Sequence, residues 1–337
     1  MQIMHRRFST LQLVAVIAAV GLGVTAKADT PRIPFQIATG STTGSFFPVG
    51  EAIAGLISHP PGVTRCDTAN VCGPAGLIIT ARTSEGTLDN VLSVNNGDVE
   101  SGLAQSDVVA AAVKGQGPFR PKGKQSHVRV IASLFSEDVH LVVSTESKIE
   151  SVAGLKGKRV SFGLPGSGVG FTADEILKAY DVPLARMRRF MLDTPAAMDE
   201  LKQGRIDAFF AVSGVPLDGL NDLLVGRVAR LVPIIGPSRT QLTKNQPALE
   251  AAVMNYPGQQ VGTVATRALW IVRDSVPDPL VYDITRALFN PVNRNALTAS
   301  NPSAREIGLS TAALMPPAPL HPGAQRFYAE AARGAQR

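Results

Sequence analysis

The chain has 337 residues, 45% hydrophobic and 18% charged, a globular composition that excludes a disordered polymer. Its 33 basic and 27 acidic residues give +6, and taking away Arg6, Arg7 and Lys27 of the first 28 residues leaves 30 against 27, or +3. That mild charge, with no interleaving of basic and aromatic residues, argues against a dedicated nucleic-acid binder. Single cores stop growing at roughly 250–300 residues, so two lobes are expected.

The N-terminus reads as an address. His5-Arg6-Arg7 precedes an apolar run over residues 11–24, and Ala26-Lys27-Ala28 follows the small-x-small rule for signal peptidase. A secretory signal over 1–28, cleaved after Ala28, is expected. The rival reading is a membrane anchor, but the run is shorter than the roughly 20 residues a spanning helix needs. No later stretch is long and apolar enough to span, so stable membrane insertion is not expected. Cys66 and Cys72 are the two cysteines. In an oxidising compartment they are expected to pair as a local disulfide; two free buried thiols are the alternative. Their spacing supports neither a CxxC redox motif nor a zinc site.

Residues 35–39 read as a strand ending in the polar turn Gly40-Ser41-Thr42-Thr43-Gly44-Ser45. A helix over 46–56 follows, with Pro48 in its first turn, where proline is tolerated. The apolar run 77–81 fits either element. Residues 88–94 predict a helix stopped at Asn95-Asn96-Gly97, 101–105 a strand, and 108–113 a helix that Ser106-Asp107 are placed to cap. Two β-rich runs, 128–134 and 139–144, flank the polar stretch 135–138. The strand 160–162 enters Gly163-Leu164-Pro165-Gly166-Ser167-Gly168, and a helix over 171–180 follows. Further expectations are a helix over 196–203, a buried strand over 206–212 ending at Ser213-Gly214, strands over 231–235 and 269–272, and helices over 281–289 and 324–332. Alternating strands and helices imply an α/β fold with mostly parallel sheets flanked by helices.

Strand, Gly/Ser turn, helix thus occurs once in each half. Such sheets bind ligands at the carboxyl ends of their strands. A helix N-terminus there offers unpaired N–H groups and partial positive charge, which attract carboxylates or phosphates. Gly44, Gly166 and Gly168 allow close approach to the backbone, and Ser41, Ser45, Ser167 and Ser213 add hydroxyls. The alternative for either turn alone is a plain helix cap. Glu85 and Asp107 are placed to accept an ammonium or hydroxyl, or to be a solvated acid and a cap. His59, His127, His140 and His321 show no HExxH and no helical pairing, and read as surface or interlobe residues. Trp270 reads as core. Neither turn carries GxSxG, and no P-loop spacing occurs. No catalytic residue, metal site or cofactor is therefore expected.

Four segments resemble the TAXI family, extracytoplasmic receptors of one class of tripartite ATP-independent periplasmic (TRAP) transporters. They are Ile37-Ala38-Thr39-Gly40-Ser41-Thr42-Thr43-Gly44-Ser45-Phe46-Phe47-Pro48; Ser84-Glu85-Gly86-Thr87-Leu88-Asp89-Asn90 with Gly102-Leu103-Ala104-Gln105-Ser106-Asp107; Gly157-Lys158-Arg159-Val160 with Pro165-Gly166-Ser167-Gly168; and Leu320-His321-Pro322-Gly323-Ala324 with Phe327-Tyr328. The resemblance spans nearly the whole chain after residue 28. It implies a two-lobed type II periplasmic binding protein-like fold with the ligand cleft between lobes. It also implies a periplasmic receptor, not an enzyme, that hands a small carboxylate (an organic acid, or an amino acid such as glutamate) to a TRAP-type permease. The family's binding positions fall on Gly44, Ser45, Phe46, Asn90, Gln105, Ser106, Gly166, Ser167 and Gly168; Ser213 is added from topology. Lobe I is expected at 29–138 and 268–337 and lobe II at 139–267, with hinge crossings near 135–140 and 266–268. The chain departs from the family pattern at Phe46-Phe47, where relatives carry Tyr-Tyr, and at Val169-Gly170, where many carry Thr-Arg. It also departs in a longer stretch over 66–81. A secreted enzyme using the same cleft and a sensory receptor are the competing readings.

Overall fold

The computed structural model describes residues 31–314 and 316–334; the expected signal segment at 1–28 lies outside the described residues. The strands are β1 (Ile33–Ala38), β2 (Leu77–Arg82), β3 (Ser101–Gln105), β4 (Val128–Ser144), β5 (Arg159–Ser161), β6 (Arg188–Phe190), β7 (Ala208–Ser213), β8 (Ala229–Leu231), β9 (Glu250–Tyr256) and β10 (Gln259–Arg273). The helices are α1 (Phe46–Ile57), α2 (Thr87–Asn96), α3 (Ser106–Lys114), α4 (Val169–Ala179), α5 (Thr194–Lys202), α6 (Leu220–Val225), α7 (Pro237–Asn245), α8 (Asp278–Leu288), α9 (Pro291–Ser300), α10 (Leu309–Ala312) and α11 (Pro322–Gly334).

The strands pair in the order β2-β1-β3-β10-β4-β7-β5-β6, with β8 on β4 and β9 on β10. The parallel pairings expected from the alternating pattern are β1 with β2 and β3, and β5 with β6 and β7. The expectation of mostly parallel sheets is corrected: β4 and β10 run antiparallel to each other and to every neighbour, so the sheet is mixed.

Apolar side chains divide between two lobes. Phe35, Ile53, Leu103, Phe135 and Trp270 belong to cores built from residues before 136 and after 267. Val139, Phe162, Ile176, Phe210 and Val264 belong to cores built from residues between. Trp270 is a core residue, edge-on to Phe35 at 6.5 Å, with its indole N–H donating to Ser101 Oγ at 3.1 Å. Cys66 and Cys72 form a disulfide in the stretch leading to β2.

The polar stretch 135–138 is not a break. β4 runs through it because β10 pairs with it, Ser136 opposite Arg267, Glu137 opposite Thr266 and Asp138 opposite Ala265. Backbone groups satisfied there allow a strand to continue under polar side chains. The same pairing extends the expected strand at 269–272 back to Gln259, whereas the one expected at 231–235 shortens to Ala229–Leu231. Nor does Asp107 cap α3: the capping position is Gln105, with no side-chain cap, and the Asp107 carboxylate turns inward.

Candidate functional site

The turn after β1 and the turn after β5 face one another across the lobes. Each leaves the carboxyl end of a parallel strand and enters a helix, α1 and α4 respectively. Between them lies a cavity of about 110 Å³, lined by Gly44, Ser45 and Phe46 on one side and Ser167, Gly168 and Val169 on the other. Gln105 and Glu137 line it too, and Val212, Ser213 and Leu217 line it from the second lobe. Neither α1 nor α4 has a side-chain cap. The first-turn N–H groups of both helices are thus left to whatever occupies the cleft.

The lobes touch. Gly166 N–H donates to Glu85 Oε2 at 2.9 Å, and the Leu88 and Asp89 N–H groups donate to Gly166 O at 2.9 and 3.3 Å. Thr172 Oγ1 donates to Asp107 Oδ2 at 2.6 Å. Ser106 Oγ donates to Ala248 O at 3.0 Å. The glycines of the second turn serve this contact. A β-carbon on Gly166 would lie 2.6 Å from Glu85 Cβ and 2.7 Å from Asp89 Cγ, and one on Gly168 would overlap Gln105 Oε1.

Gly44, Ser45, Phe46, Gln105, Ser167, Gly168 and Ser213 therefore gather at one cavity, and the other three predicted residues, Asn90, Ser106 and Gly166, are not among its lining. Asn90 is fully buried, its amide donating to Thr39 O at 2.6 Å and Leu103 O at 2.7 Å while its oxygen accepts from Ser84 Oγ. That arrangement ties α2 to β1 and β3. Ser106 shares a hydrogen bond with Thr266 Oγ1. Gly166 sits in the interlobe contact. The Ser167 hydroxyl donates to Leu164 O at 2.7 Å, and Phe46 packs edge-on against Phe135 at 6.5 Å.

Glu137 and Asp193 also line the cavity and were not among the expected residues. Asp193 caps α5 through Ala196 N–H at 2.9 Å. Glu137 is 1% exposed. Its Oε1 accepts from Ser45 Oγ at 2.8 Å, and its Oε2, like Gln105 Oε1, has no hydrogen-bond partner among the described residues. Burial pushes the Glu137 carboxyl up to about 8, against the Ser45 hydrogen bond and the neighbouring Gln105 side chain and with help from Asp107 and Asp138. Burial also raises Asp107, opposed by the hydroxyls of Thr172 and Thr266. Sequence alone places Glu137 in a polar break between two β-rich runs, and only the pairing with β10 brings it inside a strand.

A second buried network holds the far wall. His140 Nδ1 donates to Asp138 O at 2.9 Å, so Nε2 accepts from Tyr256 Oη at 2.8 Å. Tyr256 Oη in turn accepts from Leu217 N–H at 2.8 Å. Burial lowers His140 to about 4, keeping the ring neutral for this role.

Residues 37–332 match the NMT1-like family, a match that takes in both turns and the paired strands β4 and β10. The chain belongs to the NMT1-like family. Among solved structures, a protein from Bordetella bronchiseptica RB50 superposes with a TM-score of 0.53 at 14% identity, over 89% of this chain and 98% of that one. XAC2383 from Xanthomonas citri, bound to ATP, gives 0.50 at 13% identity over 90% and 97%. The alkanesulfonate-binding protein SsuA from Xanthomonas axonopodis pv. citri, bound to MOPS, gives 0.47 at 15% identity over 89% and 84%. At such identities the likeness bears on fold alone, and the family member described here has the two-lobed α/β fold expected. No helix among its described residues is long and apolar enough to cross a membrane.

Proposed function

We propose that this chain is a periplasmic solute-binding receptor that captures a small carboxylate, an organic acid or an amino acid, and delivers it to a TRAP-type membrane permease. One observation carries the reading: two uncapped helix N-termini, one from each lobe, line the same cavity. Such ends attract an acid group without any cationic side chain. A ligand touching both lobes binds the closed form better and shifts the population toward it. The lobes are assigned to 29–138 with 268–337 and to 139–267, and the hinge to the crossings of β4 and β10. Export through the cleaved segment at 1–28 completes the assignment.

The competing enzyme would need a nucleophile beside a base. Ser45, Ser167 and Ser213 line the cavity, but among the described residues no histidine does. Ser45 Oγ donates to Glu137 Oε1 at 2.8 Å, the reach a base needs. Yet burial keeps that carboxyl protonated up to about 8, which makes it a poor base at neutral pH. Turnover of a bound acid by purified protein would favour that reading instead. The direct test is native mass spectrometry of protein purified from the periplasm, followed by titration calorimetry of the acid it releases. Ser167→Ala is expected to weaken that acid by about 1–2 kcal/mol, the hydroxyl turning from Leu164 O to the ligand when the acid binds. Recovery of no small acid, together with no heat on titration of a carboxylate panel, would reject the proposal.

A further inference from the structure

The cavity is acidic. Glu85, Glu137 and Asp193 line it, and among the described residues no Lys, Arg or His does. Glu85 spends one carboxylate oxygen on Gly166 N–H and Asp193 spends one on the α5 cap, which gives both acids structural work. Glu137 is different. It stands on the strand that crosses between the lobes, and Ser45 fixes one of its oxygens. The other oxygen is buried without a hydrogen-bond partner among the described residues, as is Gln105 Oε1; the Gln105 side chain neighbours the Glu137 carboxyl, and both residues line the cavity. Buried oxygens without donors are costly, and one such pair in a ligand-sized space calls for a group rich in N–H. In the free protein the Glu137 carboxyl proton can be shared between the two oxygens; a primary ammonium brings three donors and can replace that proton at both.

We propose that Glu137 is a ligand-contacting residue, and that a solute's ammonium docks on its Oε2 and on Gln105 Oε1 while the carboxyl gives its proton up to solvent. Capture of an amine-bearing acid therefore releases one proton, a linkage that rests on the receptor reading above. The proton balance is simple: the protonated carboxyl and the ammonium enter, and a carboxylate–ammonium pair and one solvent proton leave. The groups around Glu137 fit this. Asp107 of α3 is buried close by and adds negative potential, and Glu85 and Asp193 face the same cavity. Asp138 is next on the strand and, with His140, alternates to its other face. No cation among the lining residues competes for the carboxylate. Burial keeps the carboxyl protonated up to about 8, so a proton is available to leave at neutral pH.

The experiment uses the full chain without its first 28 residues and three matched pairs of probes: L-alanine with propionate, L-aspartate with succinate, and L-glutamate with glutarate. Calorimetry at pH 6.5 in buffers of different ionisation enthalpy counts protons. Expected is tighter binding of the amine member of a pair, release of about one proton per amine bound, and an affinity rising by up to about tenfold per pH unit until it levels near pH 8. Glu137→Gln is expected to abolish the proton release and weaken the amine roughly 10- to 100-fold. The proton count on the unaltered protein stands even if that variant folds poorly. Amine-free acids binding as well as the amines, or amine binding without proton release, overturns this proposal and leaves the receptor reading intact. No heat from any of the six probes at millimolar concentration overturns both.

Discussion

Replacing Gly166 by alanine puts a methyl group where lobe I comes closest. The new carbon would lie 2.6 Å from Glu85 Cβ and 2.7 Å from Asp89 Cγ. Glu85 Cβ is one bond from the backbone and cannot swing aside. Gly166 does not have a positive φ, so alanine is not strained within its own lobe, and the folded lobes should survive the change. What is lost is the interlobe contact: a backbone N–H on a carboxylate and two N–H groups on one carbonyl. A hydrogen bond to a charged group contributes about 1.5–3 kcal/mol and an ordinary one about 1. With the charged bond at its lower end and the long 3.3 Å bond of Asp89 counted at about half, the three come to about 3 kcal/mol, and the closed-to-open ratio should fall roughly 100-fold. Amide hydrogen exchange reads this directly, because the Leu88 and Asp89 N–H groups sit in the first turn of α2 and have Gly166 O as acceptor. Their protection should drop about 100-fold, while the amides of Val91 to Val94 hold. Unchanged protection at Leu88 would refute the claim that this glycine exists for lobe approach. Loss spreading along all of α2 would refute it as well, by showing local unfolding instead.

Two further outcomes are expected. Tyr256→Phe removes the acceptor of Leu217 N–H and the donor to His140, and should cost about 1–3 kcal/mol in urea unfolding, with faster amide exchange at Leu217. The pH dependence has two opposed arms. Glu137 rises from 4.5 to about 8 on folding, so its stability is fully present below 4.5 and is lost as pH climbs to 8. His140 falls from 6.5 to about 4, so its stability is present above 6.5 and is lost as pH falls toward 4. Glu137→Gln should remove the first arm, gaining on the unaltered protein by on the order of 5 kcal/mol between pH 4.5 and 8. Parallel urea curves for the two proteins at pH 5 and pH 8, with no widening gap, would show that this carboxyl is not held neutral.

The turns were legible because they are local. Gly40 to Ser45 and Gly163 to Gly168 announce strand ends and helix starts through their own chemistry, and β3 needed nothing beyond its five residues. The hinge was not legible as structure. Ser136, Glu137 and Asp138 look like a turn until β10, more than a hundred residues away, supplies their partners. The same remoteness hid β9, a mostly exposed strand whose buried residues are Met254 and Tyr256, and α7, which buries Leu242 alone. In the site, glycine told half its meaning. Gly166 and Gly168 were expected to admit a ligand, and the structure has them admitting the opposite lobe. Asn90 and Asp107 show the converse, polar residues drawn into interior ties that only the packing of separate segments defines.

β4 and β10 cross between the lobes side by side, bonded to each other as they pass. Two tethers joined in this way behave as a flat ribbon. It flexes readily across its face, because small torsion changes are spread over several residues. It resists skew within its plane, because skew would break rungs of the ladder. In the proposed receptor the lobes would thus swing along a single arc, each closure bringing the 163–168 corner back onto the same spot of α2. A mating surface with no room for one extra carbon demands such guidance; a lone flexible linker would bring the halves together in many misaligned ways.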